Sequence, residues 1–324
     1  IAWEQCDSDR CSIWVNRFVP DVGWGSAVLL KTVTTPAFLT PILAVDSRGD
    51  GLIVSTVYGQ YASEIWGDIY NHDHKKIDTK EAARTSMRIS QLGGACSPRI
   101  AINARGRAVL VWIQHDGRRH QVWASRYVTS LGWGQPTLID ASTKGNAYDP
   151  QVAIDADGNA TAAWYYDEGG HMNVWTNRFS AATWGWGRAQ RLSRLGTGHA
   201  FSPRIVADAF GDVIVVWSKH DHTRCRIWAS KYSPTTGWDT EQPIEPPSTE
   251  DSCEPQVAMD ATGIAVSVWR KREGNHAGVW ACRYVPGCGW GKAQLIESDK
   301  QGKVCGAQIA VSTWGEAIAV WLCV

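Results

Sequence analysis

The sequence lacks the features that mark several large functional classes. Lys plus Arg equals Asp plus Glu at 32 each, so the formal net charge is zero, and like charges never form a long run. Nucleic acid and anionic membrane surfaces are therefore not expected partners. No apolar stretch is long enough for a membrane-spanning helix. Zinc-ligand spacings, the haem-attachment CxxCH, a phosphate-binding glycine loop and HExxH are all missing, so we expect no metal and no cofactor.

What the sequence does contain is tryptophan, 19 residues of it, most of them at fixed intervals. One series recurs every 52 or 53 residues, and a second follows it after 11 residues. A third comes 10 or 11 residues later, in Gly-Trp-Gly or a close variant. The first series is Trp112, Trp164, Trp217, Trp269 and Trp321. Only Trp184 and Trp314 stand outside the register, so the pattern predicts a repeat protein.

One unit, residues 150–201, contains four strand-like runs: PQVAID, ATAAWYY, MNVWTNRF and RAQRLS. Turn signals such as Asp-Ala-Asp-Gly and Asp-Glu-Gly-Gly separate them, which predicts consecutive hairpins. Four short antiparallel strands per repeat are typical of a propeller blade. The sequence thus predicts an all-β fold, a β-propeller of four-stranded antiparallel blades. We name the strands of a blade innermost, second, third and outermost, in chain order.

Counting the runs predicts six blades. The C-terminal segment 306–324 supplies an innermost and a second strand, and the N-terminal segment 1–35 supplies a third and an outermost strand. Together they would form a composite blade from both termini that closes the ring and hides its sheet edges. The whole chain, 1–324, would then be a single domain. Residues 1–5 duplicate residues 319–323, which leaves open which copy fills the closing blade. An incomplete seventh blade is the weaker alternative.

The blade at about 36–95 departs from the repeat. Ser55 replaces the second-strand Trp, and NHDHKKIDTKEAARTS stands where a tight hairpin should be. We expect this insertion to contain a short helical turn, and it is the place where a partner-specific contact would be added. The alternative is that the sequence of an exposed loop has changed without gaining a function. His72 and His74 are weak candidates for metal ligands.

Nine cysteines bear on the compartment, because disulfides persist in oxidising surroundings. Three pairs are possible disulfides. They are Cys6 with Cys11 and Cys282 with Cys288, each pair flanking a hairpin end, and Cys253 with Cys305, at the same position of consecutive blades. Buried free thiols are the alternative, and the sequence leaves the pairing open. The chain begins with Ile, as removal of a signal or pro-segment, or trimming, would leave it, and we expect a secreted or cell-surface protein.

Each Gly-Trp-Gly tryptophan follows a basic residue that lies three positions past the third-strand Trp. The pairs are Arg17 with Trp24, Arg126 with Trp133, Arg178 with Trp186, Lys231 with Trp238, and Arg283 with Trp290. Stacking of the cation on the indole would be an architectural contact. The alternative is a repeated sugar-binding platform, because an exposed indole face and a fork of donors suit a pyranose ring.

A second group of candidates lies at the strand ends opposite the Gly-Trp-Gly segments, where ligands generally bind in propellers. Tyr148 and Phe201 precede innermost strands, and the hairpins between second and third strands hold six of the nine histidines, including His171 and His220. These residues predict a binding rim that is sensitive to pH or tolerant of metal. Polar residues at solvated hairpin tips also occur without any function.

An Asp recurs just before the turn between innermost and second strands. The four copies are Asp46, Asp155, Asp208 and Asp260. Calcium binding is one interpretation, but stabilisation of the turn is the commoner role of such a residue. Six-bladed propellers include sialidases, yet AIDADGNATAAW at 153–164 departs from their SxDxGxTW box at its first positions.

The repeat, written PQVAxDxxGxAxxxW followed by xxVWxxRYxxxxGWGxAQxI, resembles repeats of secreted or surface bacterial β-propeller proteins, most of them uncharacterised. The resemblance covers nearly the whole chain and implies the fold and an extracellular setting. The architecture is also loosely similar to six-bladed fucose-type lectins and tectonins, which bind glycans between blades. Their Arg-Glu-Trp constellation is not reproduced in register, because Glu is absent from the matching positions.

The sequence therefore favours a non-catalytic extracellular module that recognises glycans, with weak sites adding up through avidity. The alternative is a protein-interaction scaffold, or a subunit of a surface complex, that docks through the irregular blade. A glycan-active hydrolase or lyase ranks third. It would combine Tyr148 with His171 or His220, but no constellation at suggestive spacing supports it.

Overall fold

The structure is a computed structural model. It describes residues 1–34, 38–58, 63–70, 87–90, 93–140, 145–194, 196, 198–221, 223–247, 250–274, 276–299 and 304–323. Within these ranges the chain forms 31 β-strands and no helix, so none is present there that could cross a membrane. The predicted helical turn, with His72 and His74, lies outside them. The chain divides into two compact units, Ile1–Asp140 and Ala141–Val324.

The first unit contains sheets 1 to 3, numbered in chain order. Sheet 1 pairs β1 (Ala2–Cys6), β2 (Arg10–Val15) and β5 (Val28–Thr34), and the hairpin of β3 (Phe18–Val19) and β4 (Gly23–Trp24) is inserted between the last two. Sheet 2 contains β6 (Phe38–Val45), β7 (Gly51–Tyr58), β8 (Ser63–Tyr70) and β9 (Met87–Arg88). Sheet 3 contains β10 (Ala95–Ile102), β11 (Ala108–His115), β12 (His120–Val128), β13 (Gly132–Trp133) and β14 (Thr137–Leu138).

The second unit contains sheets 4 to 7. Sheet 4 contains β15 (Asn146–Ile154), β16 (Ala160–Asp167), β17 (Met172–Ser180), β18 (Gly185–Trp186) and β19 (Gln190–Arg191). Sheet 5 contains β20 (His199–Ala207), β21 (Val213–His220), β22 (Cys225–Ser233), β23 (Gly237–Trp238) and β24 (Gln242–Pro243). Sheet 6 contains β25 (Ser252–Met259), β26 (Ala265–Glu273), β27 (His276–Val285), β28 (Gly289–Trp290) and β29 (Gln294–Asp299). Sheet 7 pairs β30 (Val304–Val311) with β31 (Ala317–Cys323).

The strand order confirms the predicted blade. In sheets 3 to 6, innermost, second and third strands follow one another as antiparallel hairpins, and the outermost position is split into two strands that both pair with the third strand. The register sets each second-strand Trp opposite a third-strand Trp. These pairs are Trp112 with Trp123, Trp164 with Trp175, Trp217 with Trp228, and Trp269 with Trp280. The 11-residue interval in the sequence is the length of this hairpin.

The strand that lies beside β2 is the N-terminal copy of the duplicated segment, with Trp3 opposite Trp14. Over the described residues, β30 and β31 form a two-stranded sheet of their own. The composite closing blade, the count of six blades and the single domain 1–324 stay predictions.

The second-strand tryptophans lie at the centres of the hydrophobic clusters. Trp112, Trp164, Trp217 and Trp269 are all 0% exposed. Trp217 shares a cluster with Ala163 and Val174 of sheet 4, and Trp269 shares one with Ile214 of sheet 5. Each of these two rings therefore lies between its own sheet and the preceding one. Removing about 200 Å² of indole surface from water contributes about 5 kcal/mol per ring.

The innermost strands β10, β15, β20, β25 and β30 each contain a β-bulge. One residue inside each bulge has a positive φ, and four of the five are not glycine. They are Ser97 (53°), Asp149 (46°), Ser202 (53°), Glu254 (57°) and Gly306 (64°). A side chain in this left-handed region is strained by about 1 kcal/mol or more. The strain recurs at the same place in successive repeats.

One predicted disulfide, Cys6–Cys11, is confirmed. The other two pairs are wrong, since Cys253, Cys282, Cys288 and Cys305 are free thiols. Cys282 is buried, with its Sγ 3.2 Å from the carbonyl oxygen of Gly291, whereas Cys288 is exposed in the following turn. Burial raises the pKa of Cys282 to about 11. The Sγ of Cys253 instead accepts a contact of 3.8 Å from Nη1 of Arg270 in its own sheet.

Candidate ligand-binding site

The turn between innermost and second strands, called the first turn below, is closed by its leading Asp. In sheet 4, Oδ1 of Asp155 accepts hydrogen bonds from the backbone N–H groups of Asp157 (3.0 Å) and Asn159 (2.8 Å). Asp46, Asn103, Asp208, Asp260 and Ser312 make the same pair of bonds in their repeats. This geometry matches turn stabilisation and uses an oxygen that calcium would need.

Successive first turns also contact each other. Gly211 has a φ of 90°, and a Cβ placed on it would lie 3.0 Å from Oδ2 of Asp155 in the preceding repeat. Gly263 approaches Asp208 and Gly315 approaches Asp260 in the same way. The absence of a side chain at the glycine therefore lets one turn lie directly against the next.

The basic residue of the third strand reaches the following repeat. The guanidinium carbon of Arg178 lies 3.6 Å from the ring centre of Tyr232, and its Nη1 donates to Oγ1 of Thr161 at 2.6 Å. Nζ of Lys231 lies 5.6 Å from the ring centre of Tyr284. We call the junction between consecutive sheets a seam, and this cation–tyrosine contact a seam clamp. The prediction was a stack of the cation on the indole of the same repeat, whereas the ring in these contacts is a tyrosine of the next repeat.

The seam clamps carry positive charge. Burial lowers the pKa of Arg178, although a guanidinium stays protonated at neutral pH. Burial alone would also lower the pKa of Lys231, but its bonds to Asp212 and Tyr284 outweigh that effect and leave the pKa raised. Nζ of Lys231 lies 2.6 Å from Oδ2 of Asp212.

The Gly-Trp-Gly indoles pack against the aromatic residue that follows the basic one. These pairs, with ring centres 5.4 to 5.7 Å apart, are Phe18 with Trp24, Tyr127 with Trp133, Phe179 with Trp186, Tyr232 with Trp238, and Tyr284 with Trp290. Trp133 is only 9% exposed, and Trp186, Trp238 and Trp290 are half-buried. Trp24 differs, because it is 61% exposed and its neighbour Phe18 is 54% exposed.

A cavity of about 360 Å³ lies at the first seam, between sheets 1 and 2. Arg17 and Tyr70, at the two positions that form seam clamps further along the chain, both line it. The guanidinium of Arg17 lies against Gly49, where a Cβ would be 2.7 Å from Nη2. Phe18, Asp46 and Arg48 are also part of the wall. We call this space the first cavity.

A second cavity, of about 180 Å³, lies at the next seam, between sheets 2 and 3. Here Ile69 holds the position of the basic residue, and Tyr127 holds that of the receiving ring. Arg48 lines this cavity too, with Nη2 at 2.8 Å from Asp46 Oδ2 and 3.2 Å from Asp50 Oδ2. Burial raises the pKa of Tyr127, and Asp50 adds to that effect. We call this space the second cavity.

Both cavities lie at the ends of the strands that adjoin the first turns. The Gly-Trp-Gly segments lie at the same ends. Two of the predicted basic residues lie elsewhere. Arg126 is half-buried, and burial, followed by the charge of Arg107, lowers its pKa. Arg283 is exposed beside Asp260, whose carboxyl it helps to keep ionised.

The predicted rim residues of the second unit contact partners that the sequence did not suggest. Tyr148 stacks on Tyr165 with ring centres 5.3 Å apart, and His171 stacks on His199 at 5.7 Å. His199 is also the cross-strand neighbour of His220. Phe201 is the cross-strand neighbour of Ser218. Tyr165 was detectable as the residue after the second-strand Trp. His199 was not, because it begins the first strand of the next sheet, and spacing within one repeat does not specify a contact between repeats.

The Asp residues of the histidine-bearing hairpins close their own turns. Asp116 Oδ1 accepts from the N–H groups of Arg118 and Arg119, and Asp221 Oδ1 accepts from Thr223 and Arg224. Over the described residues one group of three potential metal ligands comes together, formed by Glu4, Cys6 and Cys11. Two of its members are joined in the disulfide, so their sulfurs are not available as thiolate ligands.

Comparison with known proteins identifies the fold but no family. No family model matches the sequence, and no curated protein matches it. An ulvan lyase of polysaccharide lyase family PL25 is similar in structure, with a TM-score of 0.55 at 11% identity over 83% of this chain and 72% of that chain. The polysaccharide lyase Uly1 gives 0.52 at 8% identity over 94% of this chain and 83% of that chain. A Dyadobacter fermentans protein of unknown function gives 0.49 at 14% identity, over 66% and 71%. At such identities the first two likenesses show the fold alone, a β-propeller.

Proposed function

We propose that this chain is a non-catalytic glycan-binding propeller and that it binds its ligand at the first cavity. The observation that carries the proposal is the cavity at the first seam, between sheets 1 and 2. Arg17 and Tyr70 occupy clamp positions, yet they border a space of about 360 Å³, whose wall includes the exposed Phe18 on which Trp24 packs. At the seams of Arg178 and Lys231 the cation lies on the ring instead.

The chemistry of the first cavity suits a sugar. A pyranose presents an apolar face that stacks on an indole or phenyl ring, and its hydroxyls accept hydrogen bonds from a guanidinium. Phe18 in the cavity wall and Trp24, which packs on Phe18, would supply the rings, and Arg17 would supply the donors. The volume lies at the lower end of the range of small-molecule sites, which suits one or two sugar residues.

The cavity wall favours binding over catalysis. Asp46 is its one carboxylate, and both of its oxygens are engaged, Oδ1 by backbone N–H groups and Oδ2 by Arg48. A general base needs a free lone pair aimed at the substrate. At the rim of the second unit, burial raises the pKa of Tyr165, and Asp149 and Tyr148 raise it further. That hydroxyl keeps its proton at neutral pH and is a donor, not a base.

Two further observations support a carbohydrate ligand and an extracellular setting. The two solved structures compared above with TM-scores over 0.5 are named as polysaccharide lyases, although the likeness extends to the fold only. The Cys6–Cys11 disulfide is of the kind that persists outside the reducing cytosol. We propose on these grounds that the protein works outside the cell.

The test is a broad glycan array, followed by titration of the best ligand against matched variants. We expect Arg17→Ala and Trp24→Ala each to weaken binding by about tenfold or more, because each removes a direct contact. Neither should lower the melting temperature by more than about 2 °C, because surface substitutions of this kind cost little. Arg178→Ala is the matched control, and it should lower the melting temperature but leave glycan affinity unchanged.

Two results would contradict the proposal. One is an array without any selective binding, which favours a protein partner. The other is a Trp24→Ala variant that loses as much thermal stability as Trp133→Ala, because the indole would then be architectural.

A further inference from the structure

The second cavity lies at a position that holds a cation elsewhere in the same chain. In sheets 4 and 5 the residue three places past the third-strand Trp is Arg178 or Lys231, and its charged group lies on the tyrosine of the next repeat. Counted from Trp66, the corresponding residue of sheet 2 is Ile69. An isoleucine side chain is shorter and carries no charge. At this seam Ile69 and Tyr127 border a space of about 180 Å³, which Arg48 also lines.

The ring that receives the cation is retained. Tyr127 packs on Trp133 with ring centres 5.4 Å apart, as Tyr232 packs on Trp238 and Tyr284 on Trp290. Tyr127 also lines the second cavity. An aromatic face next to a cavity attracts an organic cation through the ring quadrupole, and the attraction grows as water is excluded.

The charge of the wall has the matching sign. Asp46, Asp50 and Arg48 are the charged residues that line the second cavity, which gives a formal net charge of minus one. Asp50 holds the position in its first turn that Asp212 holds in sheet 5, and Asp212 pairs with Lys231. Arg48 reaches across from the same turn and neutralises part of this charge. It leaves a space of about 180 Å³ beside the ring.

We propose that the second cavity is a binding site for an aliphatic ammonium group, as carried by an amino sugar or a free amine. The ammonium would lie on Tyr127 beside Asp50, in the place that the Lys231 side chain occupies at its own seam. The volume accommodates one sugar residue or a short alkyl chain attached to the ammonium. This site shares Asp46 and Arg48 with the wall of the first cavity, but the proposal does not depend on glycan binding there.

The test uses two pairs of probes that differ in charge. One pair is n-butylammonium and n-butanol, and the other is glucosamine and N-acetylglucosamine, each titrated by calorimetry with Trp fluorescence as a second readout. We expect each cation to bind at least about tenfold more tightly than its neutral counterpart. If glucosamine alone binds, the natural ligand is an amino sugar, and if both amines bind, the ammonium group is sufficient.

Variants at Ile69 separate this site from non-specific binding. Ile69→Lys should supply an internal ammonium, abolish binding of both amines and raise the melting temperature, whereas Ile69→Met should bind as the wild type does. If Ile69→Lys does not fold, Asp50→Asn should weaken amine binding by about tenfold. Arg17→Ala should leave amine binding unchanged. Equal binding of charged and neutral probes, or full amine binding by Ile69→Lys or Asp50→Asn, would overturn the proposal.

Discussion

Single residues that follow the outermost strands fix the third strand through one hydrogen bond. Oγ of Ser90 and Oγ of Ser193 accept from the N–H groups of Ile65 and Val174, each at 3.0 Å. Asp140 does the same in sheet 3, where Oδ2 accepts from Val122 at 2.7 Å. A serine makes this bond without a charge. A carboxyl group at the same place either carries a charge inside the protein or must bind a proton to become neutral.

Asp140 should make stability depend on pH. Burial raises the pKa of Asp140 from an ordinary 3.8 to about 6, so the folded chain binds this proton more tightly than the unfolded chain. The contribution of this tighter proton binding to the free energy of unfolding is fully present below pH 3.8. It is lost as pH rises through about 6, which lowers the free energy of unfolding by about 3 kcal/mol. Asp140→Ser should remove this loss of stability with rising pH, so that the variant is more stable than the wild type at pH 8. Urea unfolding at pH 5 and pH 8 measures the difference.

The comparison of the two proteins is the control, because every other titratable group is the same in both. If the stability of the wild type and of Asp140→Ser fell in parallel between pH 5 and pH 8, Asp140 would not be the titrating group.

At the scale of strands and turns, the sequence predicts most of what the structure contains. A hairpin of fixed length repeats its tryptophans at a fixed interval, so the four strands of a repeat and their turns could be predicted from spacing. The bulges could not be predicted from the sequence. A residue before proline is normally extended, and Ser-Pro, Asp-Pro and Glu-Pro give no sign of a positive φ. Only Gly306, at the same position of the last innermost strand, carries that signal.

The candidate site was predictable in part. Arg17 and Trp24 were identified from their spacing, but the ring beneath each cation belongs to the next repeat, and spacing within one repeat does not specify a contact across a seam. The second cavity had a signal that could have been used. When Trp66 is aligned with Trp123, Ile69 falls where the other third strands have Arg or Lys.

Ser202→Gly tests whether the bulge is strained. Ser202 has a φ of 53°, and Gly306 shows that a glycine fits the same place. The substitution should stabilise the protein by about 1 kcal/mol, because relief of the left-handed conformation exceeds the entropy that glycine adds to the unfolded chain. Thermal and urea unfolding measure it. Ser202→Ala keeps a Cβ at positive φ and should give no gain; an equal gain from both variants would assign the effect to the hydroxyl.

At the scale of the whole molecule, stability depends on how well one repeat fits the next. Gly211→Ala and Gly237→Ala separate this fit from local strain, because both glycines of sheet 5 have positive φ values, 90° and 77°. A Cβ at Gly237 would meet nothing within 4 Å, whereas one at Gly211 would meet Asp155 at 3.0 Å and Pro234 at 3.3 Å. We expect Gly237→Ala to cost about 1 kcal/mol and Gly211→Ala about 1 to 3 kcal/mol more.

Urea unfolding of the two variants measures that difference. Equal losses would mean that the turn of sheet 4 moves aside freely and that the contact between repeats contributes nothing to stability.

The contact between first turns has a consequence for how such a chain changes over generations. In sheets 5 and 6 the same turn provides both halves of the contact, an Asp that meets the next glycine and a glycine that meets the previous Asp. A repeat copied by unequal recombination would bring both halves with it and would match the neighbours on either side. The gene can therefore gain or lose whole units without any compensating substitution. Cavities such as the two in the first unit would then arise by later drift in individual copies, as Ile69 illustrates.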